Sequence, residues 1–345
     1  MDSISKLITR LLHEGIPSAA IHSHLHQRLG VEEGVVNTFF SIFEMAIHLL
    51  RTGIFPGQII EILVKRGVPH RLASELVSDN LVYSRILYTA CPLCTLAAPH
   101  PVLRGVRYQK TFVPQEVPLL PPPLTWLCCQ GCGHVFTDGY HQPIVQQIIF
   151  KFDQLEPVAD IKYLEAMHIL AGDRVNQVGQ YRSSGRWLDV GFGNGALLHA
   201  ARECGYEPTG IDLQRKRVVE LQQQGIEAHC CRLDELALPD GQFAVLSMTD
   251  VLEHIPFPTH YLAAAHRLLQ GDGVLLLSLP NRESRIWQLL DAQNNNPFWH
   301  QNDHYHNFGR TRLYQLLQEQ GFQPLNCRIS QRTRMGIEVV AGVSK

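Results

Sequence analysis

The chain has 345 residues, with 30 Lys plus Arg against 32 Asp plus Glu, a formal charge of −2, 45% hydrophobic residues and 18% charged residues. At roughly 100–200 residues per domain this is two or three domains of globular composition, which excludes a disordered chain and disfavours a net-basic nucleic-acid binder. Apolar runs such as Val274–Leu277 fall far short of the roughly 18 residues a membrane span needs, and Met1–Arg10 builds no apolar signal stretch, so no membrane is expected and the expected compartment is cytoplasmic.

Residues 1–88 carry apolar side chains at helical spacing. Leu7, Ile8, Leu11 and Leu12 share one face; Phe39, Phe40, Phe43, Ile47 and Leu50 share another. The stretch also repeats itself. Leu11–Ile16 matches Leu49–Ile54, Ile21 matches Ile59, Leu25 matches Leu63 and Arg28 matches Arg66, at a period of 38 residues. A repeated helical pair is predicted, packed as an all-α N-terminal bundle. Its functional reading is docking of a protein partner or self-association; the plain alternative is a structural cap. His13, His22, His24, His26 and His48 are read as surface residues, because at most two of His22, His24 and His26 can share a helix face.

Residues 89–145 are dense in proline: Pro92, Pro99, Pro101, Pro114, Pro118 and Pro121–Pro123. Short strands and loops are predicted here, and so little apolar periodicity needs a staple. Of nine cysteines in the chain, five lie between Cys91 and Cys132. An odd total without a signal segment argues against a disulfide scaffold. Cys91 with Cys94, and Cys129 with Cys132, form two CxxC pairs. Together they offer four thiolates, the closed tetrahedral set of a structural zinc site, with no open position for chemistry. Cys128 is a poorer ligand because it breaks the spacing, and His134 is a weaker alternative.

Residues 146–345 alternate helix and strand. A helix is predicted over Ile148–Leu170, then strands at Arg186–Val190, Pro208–Ile211, Glu227–Cys230, Phe243–Ser247 and Gly273–Leu279 with helices between them. A helix over Thr311–Glu319 and strands at Pro324–Ile329 and Ile337–Val343 close the domain. Such alternation implies a parallel sheet covered by helices, and the short link between the last two strands implies that they pair antiparallel.

The first strand of this domain runs into Gly191-Phe192-Gly193-Asn194-Gly195-Ala196 and a helix. That loop also fits the GxGxxA turn of nicotinamide-dinucleotide folds, and Asp212, ending the second strand, suits either class by taking ribose hydroxyls. Two features separate them. Asp189 lies two residues before the first glycine, where nicotinamide folds usually carry an apolar residue. Downstream follow Asp240–Val245, Asp250–Ile255, Leu268–Gly273 and Leu279-Pro280-Asn281.

This succession resembles the S-adenosylmethionine-dependent methyltransferases with a Rossmann-like fold. The resemblance covers about residues 150–345. It implies a doubly wound seven-stranded α/β sheet with its last strand antiparallel and the cofactor at the C-terminal strand edges. It also implies that Gly191, Gly193 and Gly195, with Phe192 and Asn194 between them, let the backbone approach the cofactor. Asp189 would order the loop and hold the ammonium group, Asp212 the ribose, Leu213 and Leu233 the adenine, and Thr249 the methionine portion. The paired CxxC knuckles resemble a zinc-binding module fused to some of these enzymes, including sugar C-methyltransferases.

Methyl transfer needs alignment and a base for the acceptor. His254, after the fourth strand, is one candidate. The stretch Trp299–Phe308 holds two more, His304 and His306, which can face one cleft from an extended loop. The expected organisation is a helical repeat at 1–88, a zinc module at 89–145 and a methyltransferase domain at 146–345. The expected acceptor is a small molecule such as a sugar, a quinone or a secondary metabolite. The rival readings are a protein or peptide acceptor recruited by residues 1–88, and a cofactor-binding scaffold without turnover.

Overall fold

Long apolar runs with few charges, such as Phe243–Thr249 and Val274–Leu279, become central strands because both of their faces can be buried. A computed structural model describes residues 20–21, 25, 32–51, 56–83, 85–95, 100–104, 125–141, 161–301, 303–332 and 335–344. Most of the first copy of the N-terminal repeat, with His13, His22, His24 and His26, lies outside the described residues, as does 148–160 of the predicted helix.

The contacts divide the chain into two compact units. The first comprises residues 1–87, 106–125 and 138–156. Its described helices are α1 (Glu33–Arg51), α2 (Pro56–Lys65) and α3 (His70–Tyr83). Pro56 suits a first helical turn, where its missing N–H is not needed. Gly67, at φ 88, ends α2, and Val68 donates its N–H back to the Leu63 carbonyl at 3.0 Å. Ala46, Ile59, Ile60, Leu63, Val68, Ala73 and Val77 form the core between these helices. Ile21 and Leu25 pack with Val36 in a second cluster. Strand β1 (Arg85–Leu87) pairs antiparallel with β5 (Gly139–His141).

The second unit comprises residues 88–105, 126–137 and 157–345. Both cysteine pairs therefore belong with the α/β sheet, a grouping that differs from the three stretches read from composition. Its strands β2 (His100–Arg104), β3 (Trp126–Cys128) and β4 (Val135–Thr137) join β11 (His306–Asn307) in a four-stranded sheet of order β11-β4-β3-β2.

The main sheet has seven strands in the order β12-β13-β10-β9-β6-β7-β8. Its members are β6 (Gly185–Val190), β7 (Tyr206–Ile211), β8 (Glu227–His229), β9 (Phe243–Thr249), β10 (Leu269–Pro280), β12 (Phe322–Ile329) and β13 (Gly336–Val343). Strands β6 to β10 are mutually parallel, and β13 runs antiparallel to both of its neighbours. This is the doubly wound arrangement expected, with strand order reversing between β6 and β9. In the edge strand β12 the register shifts between Pro324 and Asn326.

Helices α4 (Ile161–Gly179) and α5 (Ala196–Glu203) lay Ala171, Val175, Val178, Leu197 and Ala200 against Trp187, Val245 and Leu276 of the sheet. The remaining helices are α6 (Arg215–Gln223), α7 (Pro258–Leu268), α8 (Arg285–Ala292) and α9 (Arg310–Glu319). Several polar groups inside this core are paired. The Trp187 indole N–H donates to Ser247 Oγ at 2.8 Å. Glu338, 2% exposed, accepts from Arg174 and from Arg328, each at 2.8 Å. Among the described residues, no helix is long and apolar enough to cross a membrane.

Gly210 in β7 is packed so closely that a Cβ would meet Phe192 Cδ1 at 2.7 Å and Leu198 Cδ1 at 2.9 Å. Gly210→Ala is expected to destabilise the second unit by about 1–3 kcal/mol through overpacking, measured as a lower urea midpoint at an unchanged slope.

Candidate active site

The loop between β6 and α5 is held open by its glycines. At Gly191 a side chain is excluded twice: φ is 67, and a Cβ would lie 2.7 Å from Val251 Cγ2. The Gly191 N–H donates to the Ile211 carbonyl at 2.7 Å, tying the loop to the end of β7. Asn194 Oδ1 accepts from the Ala196 N–H at 3.1 Å and satisfies one free donor of the α5 N-terminus.

Asp212 closes this edge. One carboxylate oxygen accepts from the Gly193 N–H at 3.3 Å and the other from the Gln214 N–H at 2.8 Å. Each oxygen keeps a further lone pair that a ribose hydroxyl can use. Burial raises the Asp212 pKa, against the pull of these backbone donors. Beside it Leu213 is 46% exposed, an open apolar surface that a flat purine ring can cover. Asp189 is buried and accepts from Ser247 Oγ at 2.6 Å. Burial pushes its carboxyl up to about 7, against the Ser247 hydroxyl and the Arg174 guanidinium.

Leu233 and Phe192 are buried, and Phe192 packs with Leu198 and Leu221. Any contact of either with a ligand therefore falls to the main chain. The Asp234 carboxylate is taken up by Arg232 in a two-pronged bond of 2.9 and 2.7 Å. Thr249 ends β9, and Asp250 follows at φ 56 with Oδ1 accepting from Ser278 Oγ at 3.1 Å and Oδ2 from Arg332 at 2.6 Å.

The three histidines expected to act as candidate bases are His254, His304 and His306. His254 Nδ1 is 2.9 Å from the Asp303 carbonyl and 3.2 Å from its carboxylate. Burial would pull the His254 imidazolium down, but the Asp303 carboxylate overrides it and holds the group up at about 10. The His304 ring meets His254 edge to face at 4.5 Å. Burial and that neighbouring charge push His304 down to about 3. The His304 Nδ1 and Glu253 Oε2 atoms are buried without a hydrogen-bond partner. Glu253, His254 and His304 bring one ligand-type atom each within 4.8 Å of one another.

His306 is differently used. Its Nε2 is 2.9 Å from the Ile255 carbonyl and its Nδ1 is 2.9 Å from His134 Nε2. A carbonyl only accepts, so His306 carries its proton on Nε2 and takes the His134 N–H on Nδ1. Both of its ring nitrogens are thereby spent on protein partners.

The four cysteines converge. The Sγ atoms of Cys91, Cys94, Cys129 and Cys132 all lie within 4.8 Å of one another, with Cys91 to Cys132 at 3.7 Å and Cys94 to Cys129 at 3.6 Å. Burial would raise the Cys129 thiol, but hydrogen bonds with the Cys132 backbone and the Cys94 thiol outweigh it and hold Cys129 at about 7. Cys128 lies outside the group, its Sγ turned to the Gly133 carbonyl at 3.8 Å.

The family described as a methyltransferase domain matches residues 163–326. Over 165 residues the chain is 30% identical to a ubiquinone biosynthesis O-methyltransferase of Haemophilus ducreyi, covering 42% of this chain and 68% of that one. The chain belongs to the S-adenosylmethionine-dependent methyltransferases. The same-named enzyme of Bordetella avium is 28% identical over 147 residues, 40% of this methyltransferase and 61% of its own length. A solved structure of Burkholderia thailandensis 1,6-didemethyltoxoflavin-N1-methyltransferase aligns over 63% of this chain and 98% of its own, at 17% identity and a TM-score of 0.46.

The donor site fits this methyltransferase's cofactor on the geometry above: a glycine-rich loop, a carboxylate with spare lone pairs and an open apolar ledge. Sequence reasoning missed Ser247 and Asp303. A lone serine within the apolar run of β9 was a usable signal for the first; Asp303 had none, since its partner is 49 residues away. Gly193 has φ 59, and a Cβ there would lie 3.4 Å from Arg217 Nη1. Gly193→Arg is expected to abolish binding of S-adenosylhomocysteine by calorimetry while the thermal unfolding transition is retained; unchanged affinity would count against this placement of the donor.

Proposed function

We propose that this methyltransferase transfers its methyl group to an oxygen of a small aromatic acceptor of the phenol or quinol type. The observation that carries this reading is the 30% identity to an enzyme named as a ubiquinone biosynthesis O-methyltransferase. S-adenosylmethionine, when bound, supplies a methyl carbon made electrophilic by a sulfonium. The residues of this chain supply the rest. Gly191, Gly193, Asp212 and Leu213 hold the donor at the ends of β6 and β7. Asp189 faces the donor's ammonium group, kept in place by Ser247.

On the acceptor side, Glu253 Oε2 and His304 Nδ1 are buried polar atoms without a protein partner that a substrate can complete. An acceptor hydroxyl can donate to either, which orients its oxygen; burial pushes the Glu253 carboxyl up to about 8, which makes it the better proton acceptor of the two. His254, charged through Asp303, favours an oxyanion beside it. His306 holds the segment that carries His304. Aromatic side chains nearby, Phe298 at 5.9 Å from the His304 ring and Trp287 stacked on Phe298 at 5.0 Å, give an apolar wall for a ring substrate.

We also propose that the four cysteines hold one structural zinc ion. Zinc–sulfur bonds of about 2.3 Å in a tetrahedron require sulfurs about 3.8 Å apart, and the pairs at 3.7 and 3.6 Å fit that spacing. Cys94→Ser with Cys132→Ser is expected to lose about one zinc equivalent per chain by elemental analysis; identical metal content in variant and parent would remove this reading.

The acceptor reading is tested by incubating the protein with methyl-labelled S-adenosylmethionine and a panel of catechols, hydroquinones and hydroxylated sugars. Label is expected on a ring oxygen, with kcat falling by about 10²-fold in His304→Ala as the acceptor loses its alignment and S-adenosylhomocysteine affinity unchanged. Label appearing only in a protein or peptide fraction would overturn it.

A further inference from the structure

The hairpin that carries the second cysteine pair is bonded to the segment that carries the acceptor-side residues. Strand β4 follows the turn held by Cys129 and Cys132, and its Phe136 and Val135 pair with His306 and Asn307 of β11. The Thr137 N–H donates to the Tyr305 carbonyl at 2.9 Å. His134, two residues after Cys132, donates through Nε2 to His306 at 2.9 Å, with both rings fully buried among Phe136 and Phe308. From β3, Trp126 donates its indole N–H to the Trp299 carbonyl at 3.1 Å and meets the Trp299 ring edge to face at 5.5 Å.

The same short segment is bonded on its other side to the loop after β9. The Tyr305 N–H donates to the Glu253 carbonyl at 2.8 Å, His306 Nε2 to Ile255, and Asp303 holds His254. Residues 303–306 are thus a layer clamped between the knuckle hairpin and Glu253–Ile255. A second route makes the same connection. Tyr88, three residues before Cys91, donates to the Pro256 carbonyl at 2.7 Å and packs edge-on against Phe136 and Phe257, each at 5.7 Å.

None of these bonds reaches Gly191–Gly195 or Asp212, which are held by their own backbone network. We propose that the cysteine knuckle is a positioning device for the acceptor side of the site: through His134 to His306 and Trp126 to Trp299 it fixes residues 299–306, and with them Asp303 and His304, without contributing to donor binding. The proposal rests on the structural-zinc reading for the part played by metal, and on the acceptor reading only for its effect on turnover. His134 and Trp126 act here as positioning residues, since they reach His304 only through other groups.

The test uses the full chain, with S-adenosylhomocysteine as donor probe and hydrogen exchange followed by mass spectrometry. His134→Phe keeps an aromatic ring but removes the N–H offered to His306. His134→Gln restores a donor at the same distance from the backbone. In His134→Phe, and in parent protein stripped by a zinc chelator, amides of residues 297–308 are expected to exchange about 3–10-fold faster, the scale of one lost hydrogen bond. Amides of 187–212, the affinity for S-adenosylhomocysteine and, for His134→Phe, the zinc content are expected to stay at parent values, and His134→Gln is expected to restore slow exchange.

With a phenol acceptor that turns over, kcat is expected to fall by a similar factor in His134→Phe while the KM for S-adenosylmethionine holds. Unchanged exchange at 297–308 in both the stripped protein and His134→Phe would overturn the proposal, as would equal loosening of 187–212. Should His134→Phe not fold, Trp126→Phe, which removes the bond to the Trp299 carbonyl and trims a buried ring against Trp299, gives the same readout at residues 297–308. Absence of metal from the purified parent would count against zinc, and absence of turnover on every phenol against the acceptor; neither alters the exchange comparison between His134→Phe and His134→Gln.

Discussion

Strand β6 is hydrogen-bonded in parallel to β7 on one side and β9 on the other. The chain leaves β6 toward β7 and β8, then returns across it to β9 and β10, so successive crossovers diverge from one line in the sheet. A gap at the carboxyl ends of β6 and β9 follows from that topology before any side chain is considered. The Asp212 carboxylate then joins the loop after β6 to the turn after β7, and Gly191 ties back to Ile211. The proposed donor site is thus built from the main chain of the glycine loop and from one carboxylate, that of Asp212.

The proposed acceptor side follows a different logic. It is assembled from segments far apart in sequence: Glu253 and His254 after β9, Asp303 and His304 before β11, and a hairpin from residues 126–137 behind them. Among the described residues, the buried polar atoms there without a partner include Glu253 Oε2 and His304 Nδ1, on residues that each bring a ligand-type atom within 4.8 Å of the other. Leaving such atoms unpaired is costly in a folded protein unless a ligand or water completes them. The contrast between the fully bonded His306 and the incompletely bonded His304, two residues apart, separates a residue that holds the wall from one that faces the space within it.

The glycine loop, the position of Asp212, the five parallel strands and the antiparallel last strand were legible because each leaves a local mark: a turn that only glycine fits, or an apolar run of strand length. The cysteine group was legible because its two spacings match. The partners of those marks were not. Asp189 was readable as an acid that orders the loop, yet its bond to Ser247 spans 58 residues. His306 read as one of a pair of loop histidines facing a cleft, and nothing in its neighbours announced His134, 172 residues earlier. Leu233 read as a surface for adenine because family position fixed the residue but not the direction of its side chain. Composition also separated the knuckle segment from the α/β domain, whereas pairing of β4 with β11 merges them; a two-residue strand carries too little pattern to be seen.

The irregularity in β12 has a bearing on what the sheet does to its surroundings. An outermost strand displays unbonded peptide groups that invite a stray chain to add itself on. Pro324 has no N–H to give such an intruder, and the extra residue before Asn326 turns the neighbouring peptides out of line. The margin of this fold is thereby blunted against aggregation at the place where a stretch of eight residues would otherwise have been an open template.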